Sequence, residues 1–410
     1  MGAGPILIFD KSALQDLPDD EAFLLDALFL SNVVPVFYME VLADLEKDHR
    51  RGVLAADMVS ALAEKTPRYN ASASAFHGAL AIADLQGRPI EMKTGQVVLD
   101  RGSLRRASDG SVGFFADEVP EADALWRWQN HEFDEVEKHY AKAWRASLSA
   151  VDNSAMAEWA KRMLPPGQTI STLSDARAFV DGFIERSDSH TLEFVLQHLN
   201  IAQEHKAAIH TRHVSMGRPP LAVFAPYAAY LFKVNLLYAL GMASQWISSK
   251  PQNNIIDVSY LYYLPFCFVF VSGDKLHARL VPHLKRPDQE FVWAPHLRSA
   301  LRELNAYYRA RGTRVDDLRA ANSLVPPFDL DNVVTRLWDT FLPGWRHRAS
   351  APESDTSSAP DFLERSRASE ILPEDWPEQP EFFVISKRVP PQRRQWRDSG
   401  DPVIKSDRTL

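Results

Sequence analysis

Cysteine is almost missing from this sequence: Cys267 is the only one in 410 residues. That excludes an intramolecular disulfide and any metal or redox site built on several thiolates. Its setting, "LPFCFVFV", reads as a place for a small buried hydrophobe. Surplus positive charge is missing too. Lysine and arginine total 46 against 54 acids, a formal net charge of −8. No global basic field therefore marks a nucleic-acid or anionic-membrane partner, although a local patch or bound cations can offset an acidic fold. No basic segment followed by a signal-type apolar stretch opens the chain. The longest apolar segment, residues 221–247, is interrupted by Lys233, Asn235 and Gln245, and a central lysine costs a spanning helix about 3 kcal/mol. A buried helix, no membrane partner and a cytoplasmic location are the expectations.

Several motifs are absent as well. There is no G-x-x-x-x-G-K-[ST], G-x-G-x-x-G or G-x-S-x-G. The histidines of 190–213 (His190, His198, His205, His210, His213) lack the H-E-x-x-H spacing of a zinc hydrolase, and "NHEFDEVEKH" at 130–139 misses it too. Trp126, Trp128, Trp144 and Trp159 at helical spacings read as core.

What is present has a clear order. "ILIFD" (6–10) reads as a buried strand, "PDDEAFLLDALFL" as a helix with acids in its first turn, "VVPVFY" (33–38) as a second apolar strand, and "MEVLADLEKDHRRG" as a helix ending at Gly52. Such alternation with unbroken apolar strands predicts an α/β fold, an open parallel sheet flanked by helices. From 61 to 249 the pattern turns mainly helical, with a small β-hairpin excursion near 76–102 and helices over 121–150, 153–164, 174–187, 190–213 and 221–248. "CFVFVSGDKLHARLV" brings a third apolar strand, so the α/β core resumes over 250–312. A C-terminal helical segment spans 313–346, including helix 331–345. Residues 347–410 read as a flexible tail, rich in Ser, Pro and acids up to about 381 and more basic and partly apolar in "FFVISKRVPPQRRQWRDSG", which suits a disordered, docking or nucleic-acid-grazing end. No repeat of solenoid period occurs.

Two apolar strands stop on an acid, Asp10 and Asp274. Glu40 lies just beyond the second strand, and Asp257 heads "DVSYLYYLPF", which leads into the last one. Residues past the carboxyl ends of parallel strands meet in one crevice at the topological switch point. Carboxylates gathered there repel one another and call for cations. Oxygen ligands in this number suit Mg²⁺ or Mn²⁺, and phosphodiester hydrolysis is the usual chemistry of such a site. An Asp after a strand also caps helices and starts turns, which is the plainer role for each acid alone. Asp44, one turn after Glu40, is a candidate supporting acid. Lys11, Lys275 and His277 follow Asp10 and Asp274 closely enough to meet a phosphate backbone at the crevice mouth.

In "ILIFDKSAL", "VVPVFYMEVLADLEK" and "DVSYLYYLPFCFVFVSGDKLHARL", the chain resembles the PIN-domain nuclease family. The resemblance covers roughly 5–60 and 250–285. It implies that Asp10, Glu40, Asp257 and Asp274 are catalytic metal ligands for Mg²⁺ or Mn²⁺, with Ser12 and Ser272 as supporting hydroxyls. The implied activity is endonucleolytic cleavage, most often of single-stranded RNA. Between Glu40 and Asp257 the chain departs from the compact family pattern through the helical insertion, a place to cap the crevice, grip RNA or hold a regulatory protein partner.

Two other classes compete. A haloacid-dehalogenase-like phosphatase also ends its first strand on an Asp, but needs an acid two residues on, where Ser12 stands, and another where Ala278 stands. A non-catalytic PIN-like scaffold or sensor would work through the insertion; four mutually repelling acids speak against it.

Overall fold

The computed structural model describes residues 4–46, 54–67, 71–99, 102–106, 112–116, 120–186, 189–250, 254–313, 325–350, 370–371 and 382–385. Its strands are β1 (Ile6–Phe9), β2 (Leu30–Val33), β3 (Ala71–Ala73), β4 (Gly102–Arg106), β5 (Val112–Ala116), β6 (Val269–Ser272), β7 (Glu290–Trp293), β8 (Glu370–Ile371) and β9 (Phe382–Ile385). The helices begin with α1 (Lys11–Gln15), α2 (Asp19–Leu28), α3 (Pro35–Leu42), α4 (Ala55–Lys65) and α5 (His77–Leu85). They continue with α6 (Pro120–Gln129), α7 (Glu135–Ser149), α8 (Asn153–Met163), α9 (Leu173–Ile184), α10 (Ser189–His198), α11 (Gln203–Ser215), α12 (Leu221–Phe224) and α13 (Pro226–Ala243). The last are α14 (Asn254–Tyr260), α15 (Lys275–Leu284), α16 (Ala294–Ala310), α17 (Val333–Phe341) and α18 (Trp345–Ser350).

Five strands form one all-parallel sheet in the order β3-β2-β1-β6-β7. β1 and β6 pair in the middle, Leu7 opposite Val269 and Phe9 opposite Val271. Every residue of both strands is buried, as strands covered on both faces require. Helix α16 packs on α2, β6 and β7, and α17 on α16. The chain is thus α/β, as its alternating pattern predicts. β3 falls inside the stretch read as insertion and extends the sheet at one edge.

Several local expectations are corrected. "VVPVFY" is not a strand: β2 is the preceding "LSNV", and α3 starts with Pro35 in its first turn. Proline has no N–H for a sheet ladder but suits the first turn of a helix. The region near 76–102 holds helix α5, and the hairpin lies later, β4 against β5. The stretches 121–150, 190–213 and 221–248 each divide into two helices. Edge strand β7 went unread. Most of the predicted flexible tail, 347–410, lies outside the described residues, yet two short pieces of it are strands, β8 against β4 and β9 against β5.

Helix α13 is the axis of the insertion. It packs against α5, α8, α9 and α10 and is buried nearly all round, which explains its uniform apolarity. Lys233 pairs with Asp181 on α9, and Asn235 accepts a hydrogen bond from the Tyr262 hydroxyl at 2.6 Å. Asp84 on α5 accepts from the N–H groups of Tyr227 and Ala228 at 2.8 and 3.1 Å, capping α13 from a neighbouring helix. Among the described residues no helix is long and apolar enough to cross a membrane. Cys267 is buried, as its setting implies. Trp128 is core and Trp144 and Trp159 pack partly against it, whereas Trp126 is exposed.

Candidate acid centre at the strand ends

The strand order runs outward from β1 through β2 to β3, then resumes on the other side with β6 and β7. The switch point lies between β1 and β6, where ligands settle in open α/β sheets. Asp10 follows β1 and Asp274 follows β6, so both reach this crevice by chain direction alone.

Asp10 caps α1, accepting from the Ala13 N–H at 2.9 Å, and is only 3% exposed. The Ser12 hydroxyl donates to its Oδ1 at 2.7 Å and the Ser272 hydroxyl to its Oδ2 at 2.7 Å. Ser12 in turn accepts from the Gly273 N–H at 2.9 Å, bridging the two strand ends. A side chain at 273 would crowd this bridge, since a Cβ there would lie 3.1 Å from Ser12 Oγ.

His277 stands behind the carboxylates. It is fully buried and so is not at the crevice mouth where a substrate cation was expected. Its Nε2 lies 2.7 Å from the Asp257 carbonyl oxygen, so this nitrogen donates. Its Nδ1 lies 2.7 Å from Ser272 Oγ and 3.4 Å from Asp10 Oδ2. Burial alone would lower the imidazole's pKa. The hydrogen bond and charge of Asp10, then the charge and carbonyl of Asp257, outweigh it and lift the value to about 9. The charged ring therefore donates at both nitrogens. Ser272 accepts from His277 and from the Asp274 N–H at 2.8 Å, and passes its own proton's bond to Asp10. Burial would raise the Asp10 pKa, but His277, Ser272 and Ser12 bring it below the usual value.

Glu40 projects from α3. Its Oε2 accepts from the Tyr260 hydroxyl at 2.8 Å, and its Oε1 lies 2.9 Å from Lys11 Nζ. Lys11 also binds both oxygens of Asp44, at 3.1 and 3.2 Å. Lys11 is only 6% exposed, another departure from the expected phosphate contact. Asp44 is buried and also meets Arg145 of α7, whose Nε donates to the Ala43 carbonyl at 3.0 Å. Lys275, the first residue of α15, is exposed. Asp274 caps that helix, accepting from the Leu276 N–H at 2.6 Å.

Asp257, on α14, is half-buried. Its pKa rises to about 7, first through burial; the His277 charge opposes this, and Asp274, Glu40 and Asp10 add to it. Asp10, the Asp274 N–H and the Asp257 carbonyl thus belong to one hydrogen-bonded network through Ser272 and His277, whereas Glu40 belongs to a second one with Lys11, Asp44 and Tyr260 and acts on Asp257 through its charge. Ser12 and Ser272 are in the first as supporting hydroxyls. Sequence reading missed Tyr260, three residues after Asp257 and so one helical turn on, and Arg145, for which the sequence carries no signal. Among the described residues no group of three or more His, Cys, Asp or Glu side chains is arranged to hold a metal ion. The candidate donors match Mg²⁺ or Mn²⁺ in kind alone, all being carboxylate oxygens. Among the described residues no zinc-type histidine group forms either: His198 is half-buried and stacked on Trp159, and desolvation drops its pKa to about 4.

No protein-family model matches this chain, and no curated protein and no solved structure matches it.

Proposed function

We propose that this protein is a metal-dependent nuclease with a PIN-like core, hydrolysing phosphodiester bonds of nucleic acid, single-stranded RNA before DNA. One observation carries the reading: Asp10 and Asp274, far apart in sequence, follow the neighbouring strands β1 and β6 at the switch point of a parallel sheet, and the buried His277 ties Asp10 to the Asp257 carbonyl there. Asp10, Glu40, Asp257 and Asp274 are the candidate ligands for Mg²⁺ or Mn²⁺. A divalent ion bound there would lower the pKa of a water and offset charge on the phosphate. The chain's own groups do the rest. Ser12, Ser272 and His277 hold Asp10 ionised and fixed in direction, and exposed Lys275 offers a cation to the substrate backbone.

The test uses purified full-length protein on labelled single-stranded RNA and DNA, with Mn²⁺ or with chelator. Cleavage by the wild type that disappears with chelator and with Asp10→Asn is the expected result. Cleavage that Asp10→Asn retains rejects the site. A second reading, a PIN-like scaffold acting through the helical insertion, draws support from the internal donors that already occupy Asp10 and Glu40. Wild-type protein that neither cuts polynucleotide nor binds Mn²⁺ would favour it. Phosphate release from small monoesters alone would instead favour a phosphatase.

A further inference from the structure

A sheet that begins in the insertion is completed by the far end of the chain. Hairpin β4–β5 is local: residues 107–111 join its strands, and Gly102 lies opposite Ala116 and Arg106 opposite Val112. Both of its edges are filled from the C-terminal stretch, in the order β8-β4-β5-β9. β8 meets β4 at two positions, whereas β9 runs parallel to β5 over four, Gly113 to Ala116 opposite Phe382 to Ile385. A two-stranded hairpin is marginal by itself and gains stability from a third strand, and an open edge leaves N–H and C=O groups that seek partners. β9 supplies that strand with an apolar run, "FFVI", beside "VGFFA" of β5. Among the described residues, only the two of β8 stand between α18 and β9, so β9 reaches β5 as a tethered strand. Its attachment is governed by opening at the sheet edge and by the concentration its tether imposes, apart from the stability of the α/β core.

We propose that the β5 edge of this hairpin is a strand-accepting site for an extended apolar segment of a partner protein, entering parallel to β5, and that β9 is the chain's own occupant of that site, which the partner displaces. Main-chain hydrogen bonds give such a site its affinity and the apolar run its selectivity. The tail thereby withholds the edge until a competing strand arrives. This site is separate from the acid centre and stands whether or not the chain cuts nucleic acid.

The probe is a fluorescein-labelled peptide of residues 380–388, "PEFFVISKR", titrated into full-length protein by anisotropy, with amide hydrogen exchange read over 112–116. The variant carries Phe383→Pro and Val384→Pro together. Neighbouring N–H groups of a strand point to opposite sides, so one of the two prolines removes a donor to β5. The peptide should bind this variant about tenfold or more tightly than it binds the wild type, whose edge is taken. Exchange over 112–116 should be about tenfold faster in the variant and slow again when peptide is added. A second variant, Phe115→Cys with Val384→Cys, places two thiols at directly opposed positions, while Cys267 stays buried. It should cross-link within one chain on oxidation, and the oxidised form should bind peptide about tenfold more weakly than the reduced form. This pair decides if the proline variant does not fold. Peptide that binds neither wild type nor folded proline variant, or both equally, overturns the inference. So does unchanged exchange over 112–116, or a cysteine pair that does not cross-link or whose cross-link leaves peptide binding unchanged.

Discussion

The two sides of the acid centre hold their carboxylates in place by different means. On the β1–β6 side, Asp10 rests on two hydroxyls, one N–H and a fully buried histidine, all within the α/β core. On the α3 side, Glu40 and Asp44 rest on Lys11 and on Arg145, the latter reaching in from the insertion. Short hydroxyl and imidazole groups lose little freedom when fixed, and they hold one direction. Long cations lose more on ordering. The first side is built within the α/β core, and on the second the insertion meets the site through Arg145.

The largest test of this contrast removes the buried histidine. His277→Leu strips Asp10 of its charged partner and should lower the unfolding free energy by about 3–5 kcal/mol, read from urea transitions, as for breaking other buried pairs. A smaller effect is expected from pH. The folded value of His277 is about 9 against an ordinary 6.5, so the folded state keeps a proton that the unfolded chain gives up. Its stabilisation is complete below pH 6.5 and is lost as pH rises through 9, at most about 1.4 kcal/mol per pH unit. Asp257, at about 7 against 3.8, loses its share between those two values in the same direction. Asp10 runs the other way: its lowered value stabilises above 3.8 and that share is lost in acid. Metal-free protein should thus melt lower at pH 9 than at pH 6.5, and Asp257→Asn should flatten the curve below 7 while sparing the upper limb. The smallest effect falls on the α3 side. Arg145→Met should cost about 0.5–1 kcal/mol, and high salt should shrink that cost. A larger loss from Arg145→Met than from His277→Leu would invert the comparison.

Much of the centre was readable because parallel sheets convert chain direction into position. Once "ILIFD" and "FVFVSGD" are recognised as strands, Asp10 and Asp274 must emerge at the same rim. Ser12 and Ser272 follow from the same logic, being within two residues of those acids. The side chains of Lys11 and His277 were misplaced because proximity in sequence says nothing about which way a side chain turns. Lys11 leaves the first turn of α1 toward α3, and His277, three residues past Asp274 on α15, points back into the core. The misread "VVPVFY" shows a competing signal overlooked: its apolarity suits a strand, but Pro35 already forbids an interior one. Arg145 was beyond reach, because its meeting with Asp44 depends on how α7 packs on α3 and the turn after it.

Strand β6 pairs with β1, the middle strand of the sheet, yet arrives late in the chain, after the whole insertion. A growing polypeptide emerging from the ribosome therefore carries β1 with one side unpaired until residue 272 has been made. Contacts this distant in sequence form slowly, and an apolar edge left waiting invites wrong pairing. The same delay has a protective side: Asp10 and Glu40 are translated long before Asp257 and Asp274 exist to join them, so an unfinished chain holds only half of the centre.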